Sequence, residues 1–179
     1  MASEVDIKAM IRTIPDFPKP GVQFRDITTL LKAPGGLREI VDRLFAAYAN
    51  ERIDKVAAIE SRGFILGGAL AYRLGAGLVP IRKQGKLPAE NFGEDYALEY
   101  GRDRLELHRD ALEHGERVLL VDDLVATGGT AEAATRLIRT AGASLVGCAF
   151  VIDLPDLGGR SRLEALGYPV RALCQFSGH

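Results

Sequence analysis

Residues 118–130, VLLVDDLVATGGT, constrain this chain more than any other stretch. Four apolar residues, Val118 to Val121, run directly into the acidic pair Asp122 and Asp123. A short loop follows, Ala126, Thr127, Gly128, Gly129 and Thr130, and then a helical pattern from Ala131 to Ile138. A fully apolar run that short reads as a strand buried in a parallel sheet. The two carboxylates are then expected where the strand ends, and ligands of open α/β sheets bind at those carboxyl ends. Gly128 and Gly129 let the backbone turn tightly and come close to a ligand. The amides of residues 126–130 converge, with the start of the next helix, on one place that suits a phosphate. The acidic pair cannot bind phosphate. It can accept hydrogen bonds from the vicinal hydroxyls of a sugar, or hold Mg2+ directly or through water. A phosphorylated ribose with a metal satisfies both halves. A nucleoside triphosphate fits less well, because no Gly-Lys-Ser/Thr follows the glycines.

The rest of the chain is consistent with one α/β domain over residues 1–179. Apolar side chains make up 47% and charged ones 26%, ordinary for a soluble globular protein. With a formal net charge of −1, nucleic acid is not an obvious partner. No apolar run approaches the length of a membrane span, and the N-terminus lacks the basic and apolar parts of a signal peptide. Lone Cys148 and Cys174 form no disulfide framework and read as buried thiols in a reducing cytoplasm. His108, His114 and His179 have no metal-ligand spacing.

Ile7, Met10, Ile11 and Ile14 recur at helical spacing and predict a first helix, ended by Pro15, Pro18, Pro20 and Gly21 in a rigid loop. Leu37, Ile40, Val41, Leu44, Phe45 and Tyr48 mark a second, amphipathic helix. A strand is expected over 55–59, a turn over 60–63, a Gly- and Ala-rich helix over 64–74, and a strand over 78–82 whose Pro80 hints at an edge or bend. Residues 83–95 are polar, glycine-bearing and without a period, which reads as a mobile loop. Leu105 and Leu107 alternate with charged residues, as in a strand wetted on one face. After the central unit come a strand over 144–152, a short helix over 160–166 and a last strand over 170–176. Strands alternating with helices give a mostly parallel central sheet flanked by helices.

Other segments could border the same crevice. Arg62 follows a strand end, where its forked guanidinium could clamp a pyrophosphate; the bland reading is a surface arginine in a turn. Arg82, Lys83 and Lys86 put cations at the mouth of the polar loop, either simply solvated or set to neutralise a leaving anion. Glu99 and Tyr100 lie where that loop returns and could serve as acid/base and hydroxyl donor; most glutamates only solvate a surface. Phe24, inside a Pro- and Gly-rich loop, either stacks on a planar base or anchors the loop.

The thirteen residues 118–130 match the signature of the phosphoribosyltransferases that use phosphoribosyl pyrophosphate (PRPP). With PGVQFRDI at 20–27, ESRGF at 60–64, IRKQGKLP at 81–88 and LEYG at 98–101, nearly the whole chain resembles the adenine-using branch of that family. The resemblance implies a type I phosphoribosyltransferase fold, with a small N-terminal hood and a mobile catalytic loop. It implies adenine and PRPP as substrates, Mg2+ held mainly by the substrate near Asp122 and Asp123, a homodimer, and a cytoplasmic enzyme. The acidic pair would face the ribose hydroxyls, and Ala126, Thr127, Gly128, Gly129 and Thr130 would hold the 5-phosphate. Arg62, Arg82, Lys83 and Lys86 would serve pyrophosphate. Main-chain groups of Gln23 and Arg25 would read adenine between Phe24 and Leu154. Glu99 would transfer the proton, with Tyr100 beside it. Gln23 departs from the aliphatic residue usual in the family. One rival is a ligand-sensing regulator with this fold, for which no DNA-binding module or basic face is visible. A second is a transferase for 6-oxopurines.

Overall fold

A computed structural model describes residues 6–98 and 101–178. Its centre is a seven-stranded sheet in the order β5-β6-β4-β3-β7-β8-β9. The strands are β3 (Lys55–Ile59), β4 (Gly77–Lys83), β5 (Asn91–Leu98), β6 (Gly101–His108), β7 (Arg117–Val125), β8 (Ser144–Asp153) and β9 (Val170–Gln175). β4, β3, β7, β8 and β9 pair in parallel, and β6 and β5 extend the sheet antiparallel beyond β4. The helices are α1 (Thr28–Leu31), α2 (Gly36–Tyr48), α3 (Arg62–Leu74), α4 (Gly129–Thr140) and α5 (Gly159–Ala165). Apart, β1 (Arg12–Pro15) and β2 (Gln23–Asp26) form a two-stranded antiparallel sheet.

The apolar run of β7 is buried on both faces because successive side chains feed opposite cores. Val118 and Leu120 join a cluster with Ala133, Ala134, Leu137 and Ile138 of α4. Leu119 and Val121 join another with Ile40 and Leu44 of α2 and Leu66 and Leu70 of α3. Each of the larger side chains is worth about 1.5–3 kcal/mol buried. The small residues of α3 bring it close to the sheet: a Cβ on Gly67 would lie 2.6 Å from the Ala58 methyl. One on Gly63 would lie 2.9 Å from Asp122 Oδ1, so the start of α3 presses against the acidic pair.

Four sequence expectations change. The helix over 7–14 is a turn over 7–10 followed by β1. Ile7 and Ile11 are buried, so their spacing reports contact with the core rather than helix. Pairing overrides the local pattern: β1 is in register with β2, and Arg12 donates through Nε (3.2 Å) and Nη2 (2.5 Å) to Asp26. The polar segment 83–95 is only partly loop. From Asn91 its residues form β5, paired along its length with β6. Phe92 packs on the core and Tyr96 is buried, a two-residue alternation that the intervening glutamate hides in the sequence. β6 is not wetted at Glu106, which is buried beside Arg104 and accepts the Gly85 N–H at 3.0 Å. Asp122 and Asp123 lie inside β7 rather than past it. β3 stops pairing at Val121 while β8 continues to Val125, so the acidic pair stands where one neighbour has fallen away. That same partial pairing explains Pro80: β6 meets β4 only at Arg82 and Lys83, leaving the proline on an edge.

Asp26 links the small sheet to α1. It accepts from Arg12 on one oxygen and from the Thr28 N–H (2.9 Å) and hydroxyl (2.7 Å) on the other. These bonds, the Thr28 hydroxyl first and Arg12 next, lower its carboxyl from 3.8 to about 2. A depressed acid stabilises the fold above its unfolded value and loses that stabilisation as pH falls through the folded one. Asp26→Asn should therefore cost about 1.5–3 kcal/mol at neutral pH, the scale of hydrogen bonds to a charged group. Urea unfolding of both proteins should show this difference shrinking between pH 4 and pH 2.

Candidate active site

The carboxyl ends of β3, β4 and β7 enclose a cavity of about 550 Å3. It is lined by Glu60 and Arg62 after β3, Lys83 and Lys86 at the end of β4, Tyr96 and Asp103 of the β5–β6 hairpin, Asp122 and Asp123 of β7, and the loop 126–130. All five loop residues expected to hold a phosphate, Ala126, Thr127, Gly128, Gly129 and Thr130, are on its wall. Gly128 caps α4 with φ +82°, a left-handed conformation that favours glycine. The first turn of α4 thereby offers its unsatisfied amides to the cavity.

The loop is held from below by a residue with no local sequence signal. Gly159, the first residue of α5, donates its N–H to Ala126 O at 2.9 Å. A Cβ there would meet Gly128 N at 2.6 Å, and one on Gly128 would meet Gly159 Cα at 2.9 Å. From above, the β5–β6 hairpin covers the loop: Tyr96 and the Ala97 carbonyl lie beside Gly129, and Glu94 pairs with Arg136 of α4 at 2.7 Å.

Every cation lining the cavity is matched to a carboxylate that lines it too. Arg62 Nε donates to Asp123 Oδ2 at 2.5 Å, Lys83 Nζ lies 3.0 Å from Asp103 Oδ2, and Lys86 Nζ lies 2.5 Å from Glu60 Oε1. Burial and the adjacent charge of Asp123 push the Asp122 carboxyl well above the ordinary range, although the Asp123 N–H donates to it at 2.8 Å. Burial alone would raise Glu60 and Asp103. For Glu60, Lys86 and the Lys83 N–H outweigh it; for Asp103, the Lys83 ammonium does so first. Both carboxyls stay below their usual values.

Five of the expected ligand-contacting residues lie off this wall. Arg82 turns to Glu60 Oε2 (3.2 Å) and lies 5.9 Å from the Phe64 ring. Gln23, Phe24 and Arg25 form β2, half-buried, with Phe24 edge-on to Phe17 at 5.2 Å. Leu154 is buried where its N–H bonds to Val125 O, next to the loop. Arg62 joins the two regions, its guanidinium 5.6 Å from the Phe24 ring while it grips Asp123. Glu99 and Tyr100 lie outside the described residues. Among the described residues, no three His, Cys, Asp or Glu side chains converge as a metal site.

Such a cavity offers amides to a phosphate, carboxylate acceptors to hydroxyls and cations to a second anion. Residues 26–171 match the phosphoribosyl transferase domain. The chain is 62% identical to the adenine phosphoribosyltransferase of Methylobacillus flagellatus over 172 residues, covering 96% of this chain and 98% of that one. The crystal structure of adenine phosphoribosyltransferase from Rhodothermus marinus superposes with a TM-score of 0.90 at 54% identity, covering 95% and 96% of the two chains. The Saccharomyces cerevisiae enzyme, solved with D-2,5-dideoxy-2,5-imino-altritol 1,6-bisphosphate and adenine, gives 0.88 at 39% identity, covering 94% and 97%.

Proposed function

The chain belongs to the phosphoribosyltransferase family, and from that membership we infer that it joins adenine to PRPP, forming AMP and releasing pyrophosphate. The observation that carries this reading is one cavity holding the amide loop of α4, the acidic pair of β7 and the cations Arg62, Lys83 and Lys86. The loop takes the 5-phosphate, Asp122 and Asp123 face the ribose hydroxyls, and the cations receive pyrophosphate, with Arg82 supporting them from behind.

Adenine N9 attacks the anomeric carbon as the bond to pyrophosphate breaks, and the N9 proton passes to Glu99, beside Tyr100. Positive charge grows on the sugar while negative charge leaves it, so fixed donors at both ends lower the barrier most. Two carboxylates suit Mg2+, which takes one or two protein carboxylates and completes its shell with substrate oxygens and water. Bound beside Asp122 and Asp123, the ion would neutralise charge on the departing pyrophosphate.

For the base, β2 has β1 as its strand neighbour, so its other edge can offer main-chain groups of Gln23 and Arg25 to adenine. Phe24 would stack on the ring, with Leu154 on the other face. Phe24→Ala should weaken adenine binding by about 1–3 kcal/mol, a stacking loss, and PRPP binding by less, since there the ring meets only the guanidinium of Arg62. Separate calorimetric titrations of the two substrates check this.

The free thiols Cys148 and Cys174 fit a reducing cytoplasm, and among the described residues no helix is long and apolar enough to cross a membrane. A homodimer has a suitable face: Ile65 and Tyr72 of α3, with Leu78 of β4 packed at Gly68 between them, are all exposed. Sedimentation at several concentrations tests it. The reaction itself is tested by following labelled adenine into AMP, which should require PRPP and stop when a chelator removes Mg2+.

A further inference from the structure

We propose that Glu60 is the internal stand-in for pyrophosphate: it pairs with Lys86 and yields it to the incoming anion, so that binding is a charge exchange. The proposal rests on reading the cavity's cationic end as the pyrophosphate site.

Three observations carry it. Glu60 is not a surface counter-ion, since its side chain is only 8% exposed, whereas that of Lys86 is 46% exposed. Glu60 also gathers donors from one short stretch: Lys86 Nζ at 2.5 Å, Lys83 N–H at 2.9 Å and Arg82 Nε at 3.2 Å. A buried carboxylate holding two cations and an amide mimics the donor set that a phosphate group would demand. Finally, the other two carboxylates paired with cavity cations are placed differently: Asp123 holds Arg62, which follows β3, and Asp103 also accepts the Tyr96 hydroxyl at 3.1 Å. Glu60 is the one whose partners all come from the β4 end.

An exchange has a sign that plain structural support lacks. If Glu60 only propped the loop, replacing it would weaken anion binding. If it competes for Lys86, removing its charge should strengthen binding. Glu60→Gln keeps an acceptor oxygen for the Lys83 N–H and removes the competing charge. Titrated with inorganic pyrophosphate and Mg2+, the variant should bind about tenfold more tightly than the parent, the scale of one charged hydrogen bond no longer competed for. In a Lys86→Ala background, Glu60→Gln should lose that gain, because the contested cation is gone. A folded Glu60→Gln protein that binds pyrophosphate equally or more weakly overturns the exchange while leaving the site intact. A parent that binds no pyrophosphate overturns the site, and the exchange with it. Should the variant not fold, the parent crystallised with pyrophosphate decides. Lys86 Nζ is expected on a pyrophosphate oxygen and beyond about 4 Å from Glu60, outside ion-pair distance; Lys86 still on Glu60 overturns the proposal.

Discussion

Replacing Asp122 and Asp123 together by asparagine should reduce PRPP-dependent turnover by about 10^2- to 10^4-fold while the protein stays folded. Loss of a charged hydrogen bond to a ligand costs about 1.5–3 kcal/mol, and two are removed. The fold should tolerate the change because two adjacent buried carboxylates are electrostatically unfavourable to each other. Burial and Asp123 hold the Asp122 carboxyl well above its ordinary range. A raised acid is most favourable to the fold below its unfolded value, and that benefit is lost as pH rises through the folded one. Near neutral pH the double variant should then melt no lower than the parent, apart from the cost of releasing Arg62 from Asp123. Thermal melts and kcat/KM for PRPP, measured side by side, separate the two effects. Parental turnover with parental PRPP dependence would remove the acidic pair from the ribose site.

The second large effect is expected far from the signature in sequence. Gly159→Ala should lower kcat/KM for PRPP by about 10^2-fold or more, because a displacement of about 1 Å in a binding loop costs that much. The new methyl would press on Gly128 N, 2.6 Å away, and on the Ala126 carbonyl. Both are backbone atoms and cannot rotate aside, so the phosphate loop must move; the repacking should also cost about 1–3 kcal/mol of stability. Gly158→Ala is the control. Gly158 has φ +74° but nothing within 4 Å of a Cβ, so it adds about 1 kcal/mol of strain without touching the loop. Equal losses of activity in the two variants would show that α5 does not hold the loop.

These two sites mark the boundary of what is legible in the sequence. The acidic pair, the glycines and the helix after them are adjacent, and their order alone leads to the expectation of an anion site beside that strand. β3, α2, α3, β4, β8 and β9 follow from periodicity because each buries a regular stripe of apolar side chains. Gly159 is invisible because its partner is the loop after β7, distant from it in sequence. Glu60 stands in a recognisable stretch, yet its ion pair depends on Lys86, 26 positions on, just as the grip of Arg62 depends on Asp123, 61 positions on. β1 and β5 were obscured for another reason. Their local patterns favour helix or loop, and it is pairing with β2 and β6 that makes them strands. Contacts between distant segments are decided by packing, which no window of sequence contains.

Base choice tests the central claim most directly. Adenine presents an amino donor beside an acceptor nitrogen, and hypoxanthine presents the reverse. A site whose main chain pairs with one pattern leaves its own polar groups unpaired against the other. The measurement is kcat/KM for nucleotide formation from PRPP and Mg2+ with each base in turn. AMP is expected from adenine, favoured over hypoxanthine by about 10^4-fold. Equal use of both bases, or no nucleotide from adenine, would contradict it.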